Sequence, residues 1–299
     1  MVLWHVGEWS ELGVMVRGVS PLVLIIALLL AVVSVWITGM RWYLLDPDPA
    51  GQMRRWDYFR YSMIGLTANL FMPGAVGGDA VRTAFVAKDL AGHRGVAVAA
   101  IIVDRWVGLF SLMLLGTVAC AAAVGLEYRA ELLAVLLVMD VAILAGWIIV
   151  RNRRVSDGLL KVVDRPGRPW RVLSSMFEAW RETILFYAGN LRRVVGALVL
   201  CVPIHLSWFL IAYLLAREVG IDSSFLALSL VTALSWVITA VPISIGGLGV
   251  RELSFVYLLS LQRIEAEPAA LLGGFLSAVF VARAILGVPL FWFGRPKVA

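Results

Sequence analysis

The sequence predicts an all-α polytopic membrane protein: about five full spans plus two re-entrant broken helical hairpins, related as an inverted-topology repeat. Three observations lead there. The 299 residues are 61% hydrophobic and 15% charged, with a mean hydropathy of +0.90, whereas a soluble domain is about a quarter charged. Charge-free runs at 18–40, 106–126, 194–216 and 223–250 each match or exceed the roughly 18 apolar residues that mark a spanning helix. A ten-residue pattern of helix breakers followed by charge, at 73–82, recurs at 242–251 with a constant offset of 169 (242 − 73 and 251 − 82).

Residues 1–18, with Trp4, Glu8, Trp9 and Glu11, are too short to span and read as an interfacial segment. Residues 1–16 lack a basic stretch and a cleavage signal, so the first span is expected to do the targeting. That span tolerates Pro21 in its first turn and ends at the basic-aromatic anchor Arg41-Trp42-Tyr43. Asp46, Pro47, Asp48, Pro49, Ala50 and Gly51 make a loop by their breakers. Residues 56–71 then re-enter the membrane and meet Met72, Pro73 and Gly74. A second short helix is expected to start near Asp79, an acid placed to cap it and complement its dipole.

Residues 95–125 read as a span carrying Asp104 and Arg105 in its first half, and 131–150 as another with Asp140 mid-length. A strongly basic loop follows at 151–171. Trp170, Leu173, Phe177, Trp180, Ile184 and Tyr187 then keep a three-then-four spacing, with Arg171, Ser174, Glu178, Arg181 and Glu182 on the other face. This pattern fits an amphipathic helix on the membrane surface, or one packed against a partner helix. Residues 194–216 span again, bent at Pro203; 223–240 enter, break from Pro242 to Gly249, and leave as 251–261. The last span, 268–293, carries Arg283 and ends at Arg295 and Lys297.

The domain organisation expected is a single transmembrane domain over 1–299. A first repeat covers 19–125 and a second, inverted repeat covers 193–294; the connecting span, basic loop and amphipathic helix occupy 126–192. If both hairpins are re-entrant, 18 of the 26 Lys and Arg lie inside, four outside and four within the membrane. If both crossed, Arg41, Arg54 and Arg55 would lie opposite the basic loop at 151–171, against the positive-inside rule. The re-entrant arrangement puts the N-terminus outside, the C-terminus in the cytoplasm and the chain in the cytoplasmic membrane. Broken backbone at membrane depth survives only where it is buried in protein or lines a wet cavity, so both breaks should face one.

Within the repeated motif, Pro73 and Pro242 break the helices. Gly77, Gly78, Gly246, Gly247 and Gly249 permit close approach of a ligand or another backbone. Helix starts after them would offer N–H groups and a positive dipole end, and Arg82 and Arg251 a planar guanidinium, all suited to a phosphate or carboxylate. Asp79, Glu252 and Asn69 complete the candidate substrate-binding set, with Asn69 expected to satisfy backbone freed by Pro73. A phospholipid or polyprenyl-phosphate headgroup fits, because its tails stay in the bilayer while the head crosses. The plain alternative is that Gly and Pro merely allow tight packing while Arg82 and Arg251 pair with Asp79, Asp104 or Glu252. Asp104, Arg105 and Arg283 are candidate gates or counter-ions, with structural pairing equally open. Asp140 is less persuasive, and His205 reads as a packing residue.

The net charge of +6 and pI near 9.7 are explained by cytoplasmic Lys and Arg, and nucleic acid is not the expected partner. Cys120 and Cys201 lie within apolar runs, so no disulfide framework follows. No metal-ligand spacing, Gly-x-Ser-x-Gly elbow or phosphate-binding Gly-x-x-x-x-Gly-Lys occurs. Neither an enzymatic activity nor a cofactor or metal is expected; a membrane lipid is the expected substrate, with a homo-oligomer or an enzyme partner left open. Two rival readings stand beside a lipid translocase: a secondary transporter of a small organic anion, and a non-catalytic membrane subunit recruiting a partner enzyme through the helix at 170–187.

The run from Asn69 through Pro73, Gly77, Gly78 and Asp79 to Arg82, the later Asp104 and Arg105, and the run from Pro242 through Gly246, Gly247 and Gly249 to Arg251 and Glu252 resemble the lysylphosphatidylglycerol synthase transmembrane, or flippase-like, family. The resemblance covers nearly the whole chain and implies movement of a lipid across the membrane, as in the flippase half of multiple peptide resistance factors. These 299 residues contain no soluble aminoacyl-transferase domain, so lipid aminoacylation is not expected. An additional amino-terminal span, which the family leads one to expect, is not seen either.

Overall fold

The computed structural model describes residues 18–46, 53–72, 76–89, 94–124, 129–152, 184–241 and 244–293, with scattered positions between 154 and 182. The interfacial segment at 1–17, the two prolines Pro73 and Pro242, and most of the basic loop and amphipathic stretch lie outside the described residues. Among the described residues ten helices are bounded, in order: α1 (Pro21–Leu45), α2 (Arg55–Ala68), α3 (Val76–Asp89), α4 (Arg94–Ala122), α5 (Arg129–Arg151), α6 (Leu191–Glu218), α7 (Phe225–Ala240), α8 (Val250–Ser260), α9 (Ala266–Ile285) and α10 (Val288–Phe293).

Five of these stretches are long and apolar enough to cross a membrane: Pro21–Leu45, Ala100–Ala122, Arg129–Ile149, Leu191–Glu218 and Ala266–Phe291. The other four long enough to matter come in two pairs. Helices α2 and α3 have 14 residues each, α7 has 16 and α8 has 11. At 1.5 Å per residue they reach about 21, 21, 24 and 17 Å, short of the roughly 30 Å hydrocarbon core. In each pair the partners pack against each other, α2 on α3 and α7 on α8.

Small residues set the closest contacts. The inner stripe of α1 is Ala27, Ala31, Ser34, Val35 and Gly39, and α1 packs along α6 through it. A Cβ on Gly39 would fall 2.9 Å from the Cα of Phe59, so this glycine is what lets α2 lie against α1. The largest apolar cluster joins α1, α6, α7, α8 and α9 through residues such as Ala31, Ile211, Leu215, Leu228, Phe255 and Leu272. Outward faces stay apolar: Leu22, Ile25 and Leu29 on α1 and Val135, Val138 and Val141 on α5 are exposed, as surfaces meant for lipid must be. Pro203 sits inside α6 without ending it.

The far end of the expected amphipathic helix does not lie free on a surface. Ile184 and Tyr187 are fully buried beside Leu45, Val107, Trp147 and Cys201. The Tyr187 hydroxyl donates to the Leu45 carbonyl and Arg193 Nη1 to the Asp46 carbonyl at 3.1 Å, which closes the C-terminal end of α1.

Candidate functional site

The chain between α2 and α3 is held by a side chain. Asn69, the C-terminal cap of α2, accepts the Gly78 N–H through Oδ1 at 2.6 Å. No side chain fits at Gly78: a Cβ there would fall 2.6 Å from Asn69 Oδ1. Asn69 thus accepts from Gly78, in the first turn of α3; Pro73, whose freed backbone it was expected to satisfy, lies outside the described residues. Helix α3 begins at Val76, three residues before the start expected at Asp79, which stands in its first turn.

The second break is held by its backbone. Gly246, Gly247 and Gly249 have φ of +62°, +77° and +82°, in the left-handed region that glycine alone enters without steric cost. Glu252 Oε2 accepts the Gly249 N–H at 2.6 Å and so caps α8. Of the N–H groups expected at the two helix starts, those of Gly78 and Gly249 therefore already have acceptors within the chain.

Between the two breaks lies one cavity of about 710 Å³. Its wall takes Asn69, Gly78, Asp79 and Arg82 from the first motif and Gly246, Gly247 and Arg251 from the second. The two motifs come within touching distance, since a Cβ on Gly246 would lie 3.5 Å from the Asn69 carbonyl oxygen. Asp104, Arg105 and Arg283 line the same space. Gly77, Gly249 and Glu252 do not, although they were expected to bind substrate. Gly249 and Glu252 form the helix start instead, and Gly77 packs against the Met72 side chain.

Two ionisable residues not expected there from the sequence join the polar wall. Arg41, taken above as a boundary anchor, points inward and is 7% exposed. His205, read as a packing residue, lies 3.0 Å from Ser111 Oγ and 3.2 Å from the Gly108 carbonyl, on the cavity side. Spacing did not separate Arg41 from a helix-end anchor, because an arginine one turn before the end of α1 can also snorkel to the membrane boundary.

The charges are connected unevenly. Asp104 accepts Arg41 Nε at 2.7 Å and Arg82 Nη2 at 3.3 Å, so one carboxylate joins α1, α3 and α4. Asp79 pairs with Arg82 at 3.3 Å and also accepts from Arg105 Nε. On the other side, Arg251 makes no ion pair with Glu252. It donates to Ser277 Oγ at 2.9 Å and to the Gly246 carbonyl at 3.3 Å, and Ser277 in turn donates to Glu252 Oε1 at 2.5 Å. Aromatic faces pack on the guanidinium groups: Trp42 at 4.2 Å from Arg82, and Trp236 and Phe280 at 4.9 and 4.8 Å from Arg251. Five arginines (41, 82, 105, 251, 283) and two aspartates (79, 104) thus share the wall, an excess of three positive charges.

Asp140 is away from this space. It accepts the Thr117 hydroxyl at 2.6 Å and ties α5 to α4. Among the described residues no cluster of His, Cys, Asp or Glu could hold a metal ion. Against known proteins, residues 1–292 match the family model described as the lysylphosphatidylglycerol synthase TM region. No curated protein and no solved structure matches the chain.

Proposed function

We propose, from the premise that this chain belongs to the lysylphosphatidylglycerol synthase transmembrane family, that it translocates a phosphate-bearing lipid across the cytoplasmic membrane. The family ties the chain to lipid, and the five apolar helices make it a multi-pass membrane protein. The observation that carries the finer reading is the cavity between the two breaks, where five arginines meet two aspartates. An excess of buried guanidinium charge is costly in a membrane, and an entering anion offsets it. A volume of about 710 Å³ is that of a small-ligand site, within the usual range of about 300–1,000 Å³. It takes a headgroup while acyl or prenyl tails remain in the bilayer. The chemistry is binding and release, with no covalent step.

The reading includes an inverted repeat of 19–125 and 193–294, with both short helix pairs re-entrant. Helix order supports it. Helices α6, α7, α8 and α9 begin 170, 170, 174 and 172 residues after α1, α2, α3 and α4 (191 − 21, 225 − 55, 250 − 76, 266 − 94). The shortness of both pairs supports it as well. In this arrangement the N-terminus is outside and the C-terminus cytoplasmic.

The test is reconstitution. Proteoliposomes carrying a fluorescent anionic phospholipid or a polyprenyl phosphate should lose outer-leaflet or inner-leaflet asymmetry faster than empty vesicles. Arg251→Ala should lower that rate at least tenfold while the protein still elutes as a folded monodisperse species. Rates equal to empty vesicles for every phosphate lipid would refute the reading; uptake of a small organic anion in the same vesicles would point to the rival transporter.

A further inference from the structure

Within the cavity the five arginines are not equally available. Arg41 is held by Asp104, Arg82 by Asp79 and Asp104, and Arg105 by Asp79. Arg251 is engaged by Ser277 and the Gly246 carbonyl. Arg283 differs from all of them. It is 6% exposed and lines the cavity, yet among the described residues no carboxylate, hydroxyl or carbonyl accepts from it. Its contacts are two aromatic faces, Trp208 at 4.5 Å and Phe280 at 4.6 Å.

Those contacts say what is missing. A guanidinium offers five N–H donors in its plane, and aromatic faces satisfy the flat surface of the cation but none of the donors. A buried cation without an acceptor is among the costliest arrangements in a protein. Phe280 also touches Arg251 at 4.8 Å, so the two guanidinium carbons lie at most 9.4 Å apart (4.6 + 4.8). Among the described residues the wall therefore holds two neighbouring cations, one with no acceptor and one with two uncharged acceptors, and neither has a carboxylate in contact.

We infer that Arg283 is the principal anion ligand of the cavity and Arg251 its second ligand, together taking the non-bridging oxygens of a phosphate mono- or diester. The Arg41, Asp104, Arg82, Asp79 and Arg105 network is a scaffold whose charges are already largely matched. A planar fork meeting two phosphate oxygens is the pairing for which arginine is best shaped. The identity of the phosphate carrier as a lipid rests on the function proposed above; the subsite itself does not.

The experiment is calorimetric titration of the detergent-solubilised full chain with dihexanoyl phosphatidylglycerol and, separately, inorganic phosphate. Arg283→Gln should weaken both probes at least tenfold, Arg283→Lys should recover part of the loss, and Arg82→Gln should change affinity less than about threefold. Unchanged affinity in Arg283→Gln, or a loss no larger than in Arg82→Gln, overturns the assignment. Should Arg283→Gln not fold, phenylglyoxal modification of the wild type followed by peptide mass spectrometry replaces it. Either probe should then protect Arg283 more than Arg82, and equal or absent protection overturns the inference. Binding of phosphate but not the lipid supports the subsite and removes the lipid reading. Lipid binding that survives in Arg283→Gln does the reverse, and binding of neither probe by the wild type overturns both.

Discussion

Replacing Asp104 by Asn removes one charge from the point where three helices meet. Asp104 is 2% exposed and accepts Arg41 at 2.7 Å and Arg82 at 3.3 Å. After the change Arg82 still has Asp79, at 3.3 Å, whereas Arg41 keeps only the Cys201 sulfur at 3.1 Å. The loss is therefore chiefly that of one buried pair. Removing one partner of such a pair costs about 3–5 kcal/mol, and the amide oxygen that Asn retains places this case near 3 kcal/mol. For a chain of this size that corresponds to an apparent Tm lower by roughly 6–12 °C. The assay is the fraction of detergent-solubilised protein that remains monodisperse after heating. A second variant separates pairing from volume. Arg41→Met removes the stranded cation, so the double variant Arg41→Met/Asp104→Asn should be more stable than the sum of the two single losses by about 1.5 kcal/mol or more. An Asp104→Asn protein melting within 2 °C of wild type, or strict additivity in the cycle, would refute the three-helix pin.

The other predictions concern the breaks and the topology. Gly78→Ala sets a Cβ against the Gly65 carbonyl oxygen and 2.6 Å from Asn69 Oδ1 and should cost about 1–3 kcal/mol in the same heating assay; a neutral result would mean that α3 is not packed this closely on the end of α2. Gly247→Ala demands φ near +77° of a residue with a Cβ and should cost about 1–2 kcal/mol, with reduced phosphate affinity because the new methyl would stand 3.0 Å from Arg251 Nη2. Cys120 and Cys201 are buried, so single cysteines placed at the exposed positions Arg55, Arg154 and Glu265 can be labelled with an impermeant maleimide on a low background. The re-entrant arrangement expects positions 55 and 154 to react from the cytoplasmic side and 265 from outside; reaction of 55 and 154 from opposite sides would sink it.

What was readable in the sequence was what depends on long averages or on repetition. The spans follow from apolar runs, because every backbone polar group in lipid must be satisfied within a helix, and that requirement leaves a long charge-free signature. Arg82 and Arg251 stood out because each follows a glycine pair at one constant offset. Most of the cavity's other charges have no repeated counterpart: the positions 169 residues from Arg41, Asp104, Arg105 and Arg283 are Leu210, Gly273, Gly274 and Leu114. A rule built on repetition could not find Arg41. Nor could spacing show which arginine lacks an acid, since Arg41 and Asp104 are 63 positions apart and meet through the packing of α1 on α4, beside Gly108. Glu252 has a local role that spacing alone did not single out: three residues past Gly249 it accepts the N–H at the start of α8.

The uneven division of charge bears on how such a site could work. Arg82 and Arg251 occupy equivalent positions in the two copies of the sequence motif, yet Arg82 touches two aspartates and Arg251 reaches Glu252 only through Ser277. If the cavity were as symmetric in charge as it is in helix order, an anion would be held equally throughout and would gain nothing by moving. With the unmatched cations gathered on α8 and α9, an anion is drawn to one end, where the cations nearest it lack carboxylate contacts. At the other end it must compete with Asp79 and Asp104 for every donor. A carrier needs a site attractive enough to fill and weak enough to empty. On the proposed function the aspartates supply the second condition, because they hold Arg41, Arg82 and Arg105 and leave the departing anion no further free cation to move onto. On this account Asp104→Asn should also slow release: bound phosphate lipid would persist in the purified variant, even where the fold is held together by low temperature.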